Sequence, residues 1–106
     1  MINVSGYKVW PAEVETLLYE HPAIQEACVT AARDARSGET VKAWVVLRAD
    51  VDVSAGQIIE WAHEHMASYK VPRIIEFVPG LPRTASGKVQ WRLLQERENA
   101  SSSPAG

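Results

Sequence analysis

Apolar residues recur along this chain with two periods, and the changes of period mark out its elements. Val14, Leu17 and Leu18 fall at i, i+3 and i+4, the spacing of one helical face. Pro11 suits the first position of that helix, where its missing N–H costs nothing, and Glu13 and Glu15 set negative charge near the positive end of the helix dipole. His21-Pro22 stops it. Ahead of it, residues 1–6 read as a short strand entering a turn and residues 8–10 as the extended return. Beyond it, residues 24–32 and 41–48 are rich in Val, Ala, Thr and Trp and bracket residues 34–40, whose Gly38 and polar neighbours mark a turn between two adjacent strands.

Ser54-x-x-Gln57 has the form of a capping box, and Ile58, Ile59, Ala62 and Met66 continue one apolar face, which predicts a helix over 55–68. Pro72 keeps that helix from running on, and residues 74–78 resume a β-rich run. Pro79, Gly80 and Pro82 then open a loop. From Lys88 onward, Val89, Arg92, Leu93 and Glu96 are spaced as a final helix with Leu93 and Leu94 facing inward. Residues 99–106 are poor in apolar side chains and read as a disordered tail after a domain of residues 1–98.

The order of elements predicts an α+β domain, with an N-terminal β-hairpin followed by a small, mainly three-stranded sheet flanked by about three helices. The hairpin is expected to lie apart from the main sheet. Met1-Ile2-Asn3 enters a strand with no lead-in, and the loop before Lys88 is long and lacks core residues. Both features point to a missing partner surface.

Composition narrows the reading. A chain of 106 residues that is 46% hydrophobic and 23% charged builds one small domain without room for a large internal cavity. Core packing is the default for most of Trp10, Trp44, Trp61 and Trp91. A formal charge of −2 gives no cationic field to draw the molecule to nucleic acid or anionic lipid. Cys28 is the single cysteine, so no internal disulfide forms, and the expected setting is a reducing cytoplasm. His21, His63 and His65 are too scattered for a metal site. No apolar stretch approaches the roughly 20 residues of a transmembrane segment.

Three segments carry candidate chemistry. In Pro82-Arg83-Thr84-Ala85-Ser86-Gly87-Lys88, Gly87 admits positive φ and Thr84 or Ser86 can cap the expected helix. Lys88 then falls near a helix N-terminus, where its charge opposes the dipole, a placement that makes sense if the ammonium serves an anion. In Ser5-Gly6-Tyr7-Lys8-Val9-Trp10-Pro11, Gly6 offers bare backbone to an extended ligand between Tyr7 and Trp10. In Tyr69-Lys70-Val71-Pro72-Arg73, two cations flank a rigid proline and suit phosphate contacts. Each has an ordinary counterpart: a solvated lysine, a plain hairpin turn, a charged face.

In order and spacing the set resembles the C-terminal domain of the adenylate-forming superfamily, which holds acyl-CoA synthetases, peptide-synthetase adenylation domains and firefly luciferase. MINVSGYKVWPAEVE resembles the segment after the interdomain hinge, ASYKVPRIIEF the middle signature and LPRTASGKVQWRLL the terminal lysine motif. The likeness covers about residues 1–97. The hinge residue would precede Met1, and Gln90-Trp91 stands where the family often has a basic residue before the next arginine, here Arg92. SGYKVWPAEVE with YKVPR is more similar to medium- and long-chain fatty acyl-CoA ligases than to peptide-synthetase domains.

The resemblance implies a fragment of an enzyme that joins a carboxylate to ATP, giving acyl-AMP and pyrophosphate, and passes the acyl group to coenzyme A while this domain rotates between the steps. It implies Lys88 as the catalytic cation of the first step. Ser5, Gly6 and Tyr7 then line the pantetheine tunnel, and Lys8, Tyr69, Lys70 and Arg73 join them in binding AMP or CoA. The expected partners are the enzyme's own N-terminal domain, CoA and acyl-AMP, with no nucleic acid. Mg2+ belongs to the parent enzyme rather than to this domain, which alone is expected to be inactive. Two alternatives stand beside this. One is a peptide-synthetase-like adenylation domain, and the other is a non-enzymatic polyanion-binding module built on Arg73, Arg83, Lys88 and Arg92.

Overall fold

The computed structural model describes residues 1–36 and 38–101, the side chain of Ser101 excepted. Its centre is a long antiparallel ribbon of β3 (Ile24–Asp34) and β4 (Gly38–Leu47), in register from Ile24 opposite Leu47 to Asp34 opposite Gly38, with one irregularity between Ile24 and Glu26. The hairpin of β1 (Ile2–Val4) and β2 (Tyr7–Val9) precedes α1 (Pro11–Leu18). After the ribbon come α2 (Ala55–His65), a single 3-10 turn at Ser68–Lys70, β5 (Ile74–Phe77) and α3 (Trp91–Ser101). β3 takes one edge of β4. The other edge is shared by β1, antiparallel through Val4 opposite Gly38, and β5, parallel from Lys42 opposite Ile74 to Val45 opposite Phe77.

The α+β architecture and the order of elements are those expected, with four differences of detail. The hairpin does not lie apart, because the β1–β4 pairing makes one five-stranded sheet. The ribbon is longer than composition suggested. Backbone pairing carries Asp34, Gly38, Glu39 and Thr40 into strands, and the rest of the expected turn includes Ser37, outside the described residues. α2 ends at His65 because Met66 turns extended at φ −150°. α3 begins at Trp91 and runs through Ser101, so the expected tail starts inside a helix, and residues 102–106 lie outside the described residues.

Alternation on β4 sorts its side chains between two layers. Val41, Ala43 and Val45 join Ile2, Val9, Val14, Leu18, Val29 and Ile58 in the core beneath α1 and α2. Trp44 and Val46 join Cys28, Leu81 and Leu94 beneath α3, with Val78 and Val89 packed alongside. Trp44 is the one fully buried tryptophan, its Nε1 donating to Thr30 Oγ1 at 2.9 Å; Trp61 is partly buried, and Trp10 and Trp91 are about half exposed, so core packing holds for two of the four rather than for most.

Lys42 shares the α3 side of β4. Its buried ammonium donates to Glu76 Oε1 at 2.8 Å and Glu98 Oε1 at 2.5 Å and lies 4.0 Å from the centre of the Trp44 ring. Burial opposes its charge, but the two carboxylates prevail and hold the ammonium above the usual lysine range. This pairing explains the phase of α3: Leu94 and Glu98 face inward, while Leu93, expected inside, is exposed.

The outer edge of β3 is closed by side chains instead of a strand, which leaves fewer backbone groups for an intruding strand to pair with. Ala27 N–H donates to Tyr19 Oη at 3.2 Å, Val29 N–H to Glu15 Oε2 at 2.8 Å, and Ala31 N–H to Gln95 Oε1 at 2.8 Å. Burial raises the Glu15 carboxyl above its ordinary value despite the Val29 bond.

Candidate functional site

The hairpin tip is built by two residues with positive φ, Ser5 at 50° and Gly6 at 89°, the requirement of a two-residue turn whose twist matches its strands. Asn3 holds it, accepting from Gly6 N–H on Oδ1 at 2.9 Å, while Asn3 N–H donates to Glu39 Oε1 at 2.9 Å. A Cβ added at Gly6 would meet nothing within 4 Å, so its backbone is bare.

The segment at 69–73 comes to this tip across the fold. Tyr7 and Tyr69 stack with ring centres 4.5 Å apart and planes inclined by 16°. Beside them lies a shallow hollow of about 300 Å³ lined by Val4, Ser5, Tyr7, Ser68, Tyr69 and Arg73. Four of the residues singled out in the sequence, Ser5, Tyr7, Tyr69 and Arg73, therefore share one site, with Gly6 at its turn. Arg73 is exposed and its guanidinium has no carboxylate partner among the described residues. Lys70 is committed to Glu13, whose hydrogen bond raises the lysine pKa. Lys8 is exposed on β2 and does not line the hollow, and Trp10 is also exposed outside it.

Lys88 stands elsewhere, and not at a helix start. An isolated bridge pairs Arg83 with Val89. Thr84 N–H donates to Lys88 O at 2.8 Å, Gly87 N–H to Thr84 O at 2.9 Å, and Lys88 N–H to Thr84 Oγ1 at 3.2 Å. Gly87 turns at φ +89°. Thr84 thus closes a tight loop instead of capping α3, and the expected group of helix-end N–H donors around Lys88 is not formed. The Lys88 side chain is exposed and makes no ion pair among the described residues.

The two sites attach toward opposite ends of the ribbon. β1 meets β4 at Gly38, whereas Arg83 pairs with Glu26, which faces Val46. At about 3.3 Å per residue, roughly 25 Å of strand separates Gly38 from Val46. Arg83 also donates from Nη1 to Gly87 O at 2.7 Å. Sequence reasoning named Arg83 only as part of a basic patch and missed Glu26; no local signal joins residues so far apart in the chain.

Residues 13–88 match the family model described as the AMP-binding enzyme C-terminal domain. The chain belongs to that family. This C-terminal domain is 45% identical over 98 residues to a long-chain-fatty-acid–CoA ligase of Bacillus subtilis, an alignment covering 92% of this chain and 18% of that enzyme. It is 41% identical over 103 residues to a mitochondrial acyl-coenzyme A synthetase of Homo sapiens, again over 92% of this chain and 18% of the relative. The solved structure of a Mycobacterium tuberculosis fatty acyl CoA synthetase superposes with a TM-score of 0.86 at 34% identity, over 95% of this chain and 20% of that one. The chain therefore spans about a fifth of the length of these relatives. Among the described residues no helix is long and apolar enough to cross a membrane, and no three His, Cys, Asp or Glu gather where a metal ion could sit.

Proposed function

We propose that this domain is the mobile part of an AMP-forming acyl-CoA synthetase and serves its two half-reactions with two different faces. In the first, a carboxylate oxygen bonds to the α-phosphorus of ATP and the bond to pyrophosphate breaks. Lys88 carries the positive charge that stabilises the negative charge gathering there. In the second, the thiol of CoA attacks the acyl carbon and AMP leaves, with the bare backbone at Gly6 and the hollow beside Tyr7, Tyr69 and Arg73 receiving the CoA arm and phosphate.

The observation that carries this reading is the separation of the motifs into two sites: Ser5, Gly6, Tyr7, Tyr69 and Arg73 draw together at one turn, while Lys88 projects from another loop fastened far along the ribbon. Two turns set so far apart on the ribbon are suited to facing one reacting centre in turn, which supports rotation of the domain between the steps. The polyanion alternative is weakened because Glu26 already matches the charge of Arg83.

The test uses the intact parent enzyme, with the 106-residue chain alone as an inactive control. Lys88→Ala should lower ATP–pyrophosphate exchange by about 10²-fold or more, the scale of one electrostatic donor, and spare transfer from supplied acyl-AMP to CoA. Equal losses in both assays would refute the assignment.

A further inference from the structure

The loop that carries Lys88 is well closed on itself and rooted at both ends, where Leu81 and Val89 join the Trp44 cluster, but its exposed part has little hold on the sheet. Residues 83–88 are all exposed. Their internal bonds through Thr84, together with Gln90 N–H donating to Pro82 O at 2.7 Å, fix the shape of the loop, but none of these bonds ties residues 83–88 to the sheet. One side chain does both. Arg83 donates from Nη1 to the carbonyl of Gly87, the residue before Lys88, and from Nη2 to Glu26 on β3. Among the described residues this is the only side-chain hydrogen bond tying residues 83–88 to the sheet. A guanidinium suits the task because its planar donors can meet two acceptors at once; a lysine ammonium offers no such fork.

We infer that Arg83 and Glu26 are positioning residues for Lys88: the Glu26–Arg83–Gly87 staple aims the lysine without either residue touching the substrate. The inference rests on the adenylation role given to Lys88 above. As an exposed ion pair the staple contributes little to folding, and its value lies in geometry, where a displacement of about 1 Å at a reacting group costs up to 10²-fold.

The test is made in the full-length enzyme with Glu26→Ala, Arg83→Ala, the double variant, Glu26→Gln and Lys88→Ala. Adenylation kcat should fall about tenfold in each alanine single, with KM for ATP and the rate of acyl-AMP-to-CoA transfer unchanged. The double variant should be no worse than Arg83→Ala, since both act through one contact. Glu26→Gln, which keeps an acceptor for Arg83, should recover most of the loss. A rise in KM for ATP confined to Arg83→Ala, with Glu26→Ala silent, would overturn the proposal by making Arg83 a direct phosphate contact. Parallel losses in both half-reactions with a lowered Tm would overturn it by making the staple a folding element. If Lys88→Ala cuts adenylation and the staple variants do not, the inference fails and the function above stands; if Lys88→Ala is neutral, both fail.

Discussion

The hairpin tip at Ser5-Gly6 and the loop at Gly87-Lys88 each turn through a glycine at φ +89°, yet different forces fasten them. At the tip itself the contacts are neutral, an asparagine oxygen on Gly6 N–H and a stacked tyrosine pair, with the Glu39 carboxylate one step back on Asn3 N–H. The lysine loop is held by hydroxyl and backbone bonds within itself and by an ion pair to the sheet. The tip offers uncharged, uncovered backbone, which suits a long neutral arm lying against it. The loop offers a lysine with no ion pair among the described residues, which suits a centre where negative charge develops. On the proposed function, similar backbone geometry would serve two uses, set by the side chains around each glycine.

The largest effect should come from a change that abolishes the distinction. Lys42 belongs to neither turn, and it ties Glu98 of α3 and Glu76 of β5 to β4. Lys42→Met removes the cation and takes the ammonium away from the buried Glu98 carboxylate, a class of change that costs about 3 kcal/mol or more. Thermal unfolding of the variant should show that loss, and pyrophosphate exchange and acyl transfer in the parent enzyme should decline together. A fall in one assay alone would place Lys42 in the chemistry.

Next in size is a matched pair that sharpens the comparison. Gly6→Ala and Gly87→Ala each meet open space, so neither clashes. Both force an L-residue to positive φ, at about 1–2 kcal/mol. The stability losses should be alike and the functional losses opposite, with transfer to CoA falling severalfold in the first and adenylation in the second. If both variants lower the same half-reaction, the two turns do not divide the work.

The periodic parts of this fold were legible because local rules decide them. The Ser54–Gln57 capping box forms both of its bonds, at 3.1 and 2.8 Å, and Val14, Leu18, Ile58 and Ala62 are buried as their spacing requires. Where long-range contacts decide, the pattern misled. Val89 looked like the first turn of α3, but it closes the lysine loop against Arg83 and packs on the Trp44 cluster, which moves the helix start to Trp91. Leu93, expected inside, is exposed, and Glu98 lies inside because Lys42 draws its carboxylate inward. The motif residues at 5–7 and 69–73 were legible singly, and their meeting at one hollow needed the folded chain. Glu26 had no signal at all, since its only mark is an arginine 57 residues away.

The smallest effect concerns a hinge of the scaffold that both turns share. His21 lies in the turn just after α1 and is nearly buried; its Nδ1 accepts from Ala23 N–H at 3.0 Å, and its ring meets Trp61 edge-on at 5.0 Å. Burial, and then the nearby charge of His65, lower its pKa below the ordinary 6.5. A base whose folded pKa is depressed adds stability above its unfolded value and loses it as pH falls through 6.5 and below, because the unfolded chain then binds the proton more readily. Protonating Nδ1 also removes the acceptor for Ala23, a hydrogen bond worth about 1 kcal/mol net. Taking the 106-residue chain from pH 7.5 to 5.5 should therefore lower Tm by a few degrees, on the order expected for that loss in a small domain, and His21→Ala should flatten the dependence from a lower starting point. In the parent enzyme the acid loss traceable to His21 should be similar in both half-reactions, since α1 joins the hairpin to β3, the strand on which the lysine loop is stapled. An unchanged pH dependence of Tm in His21→Ala would show that other groups govern acid stability.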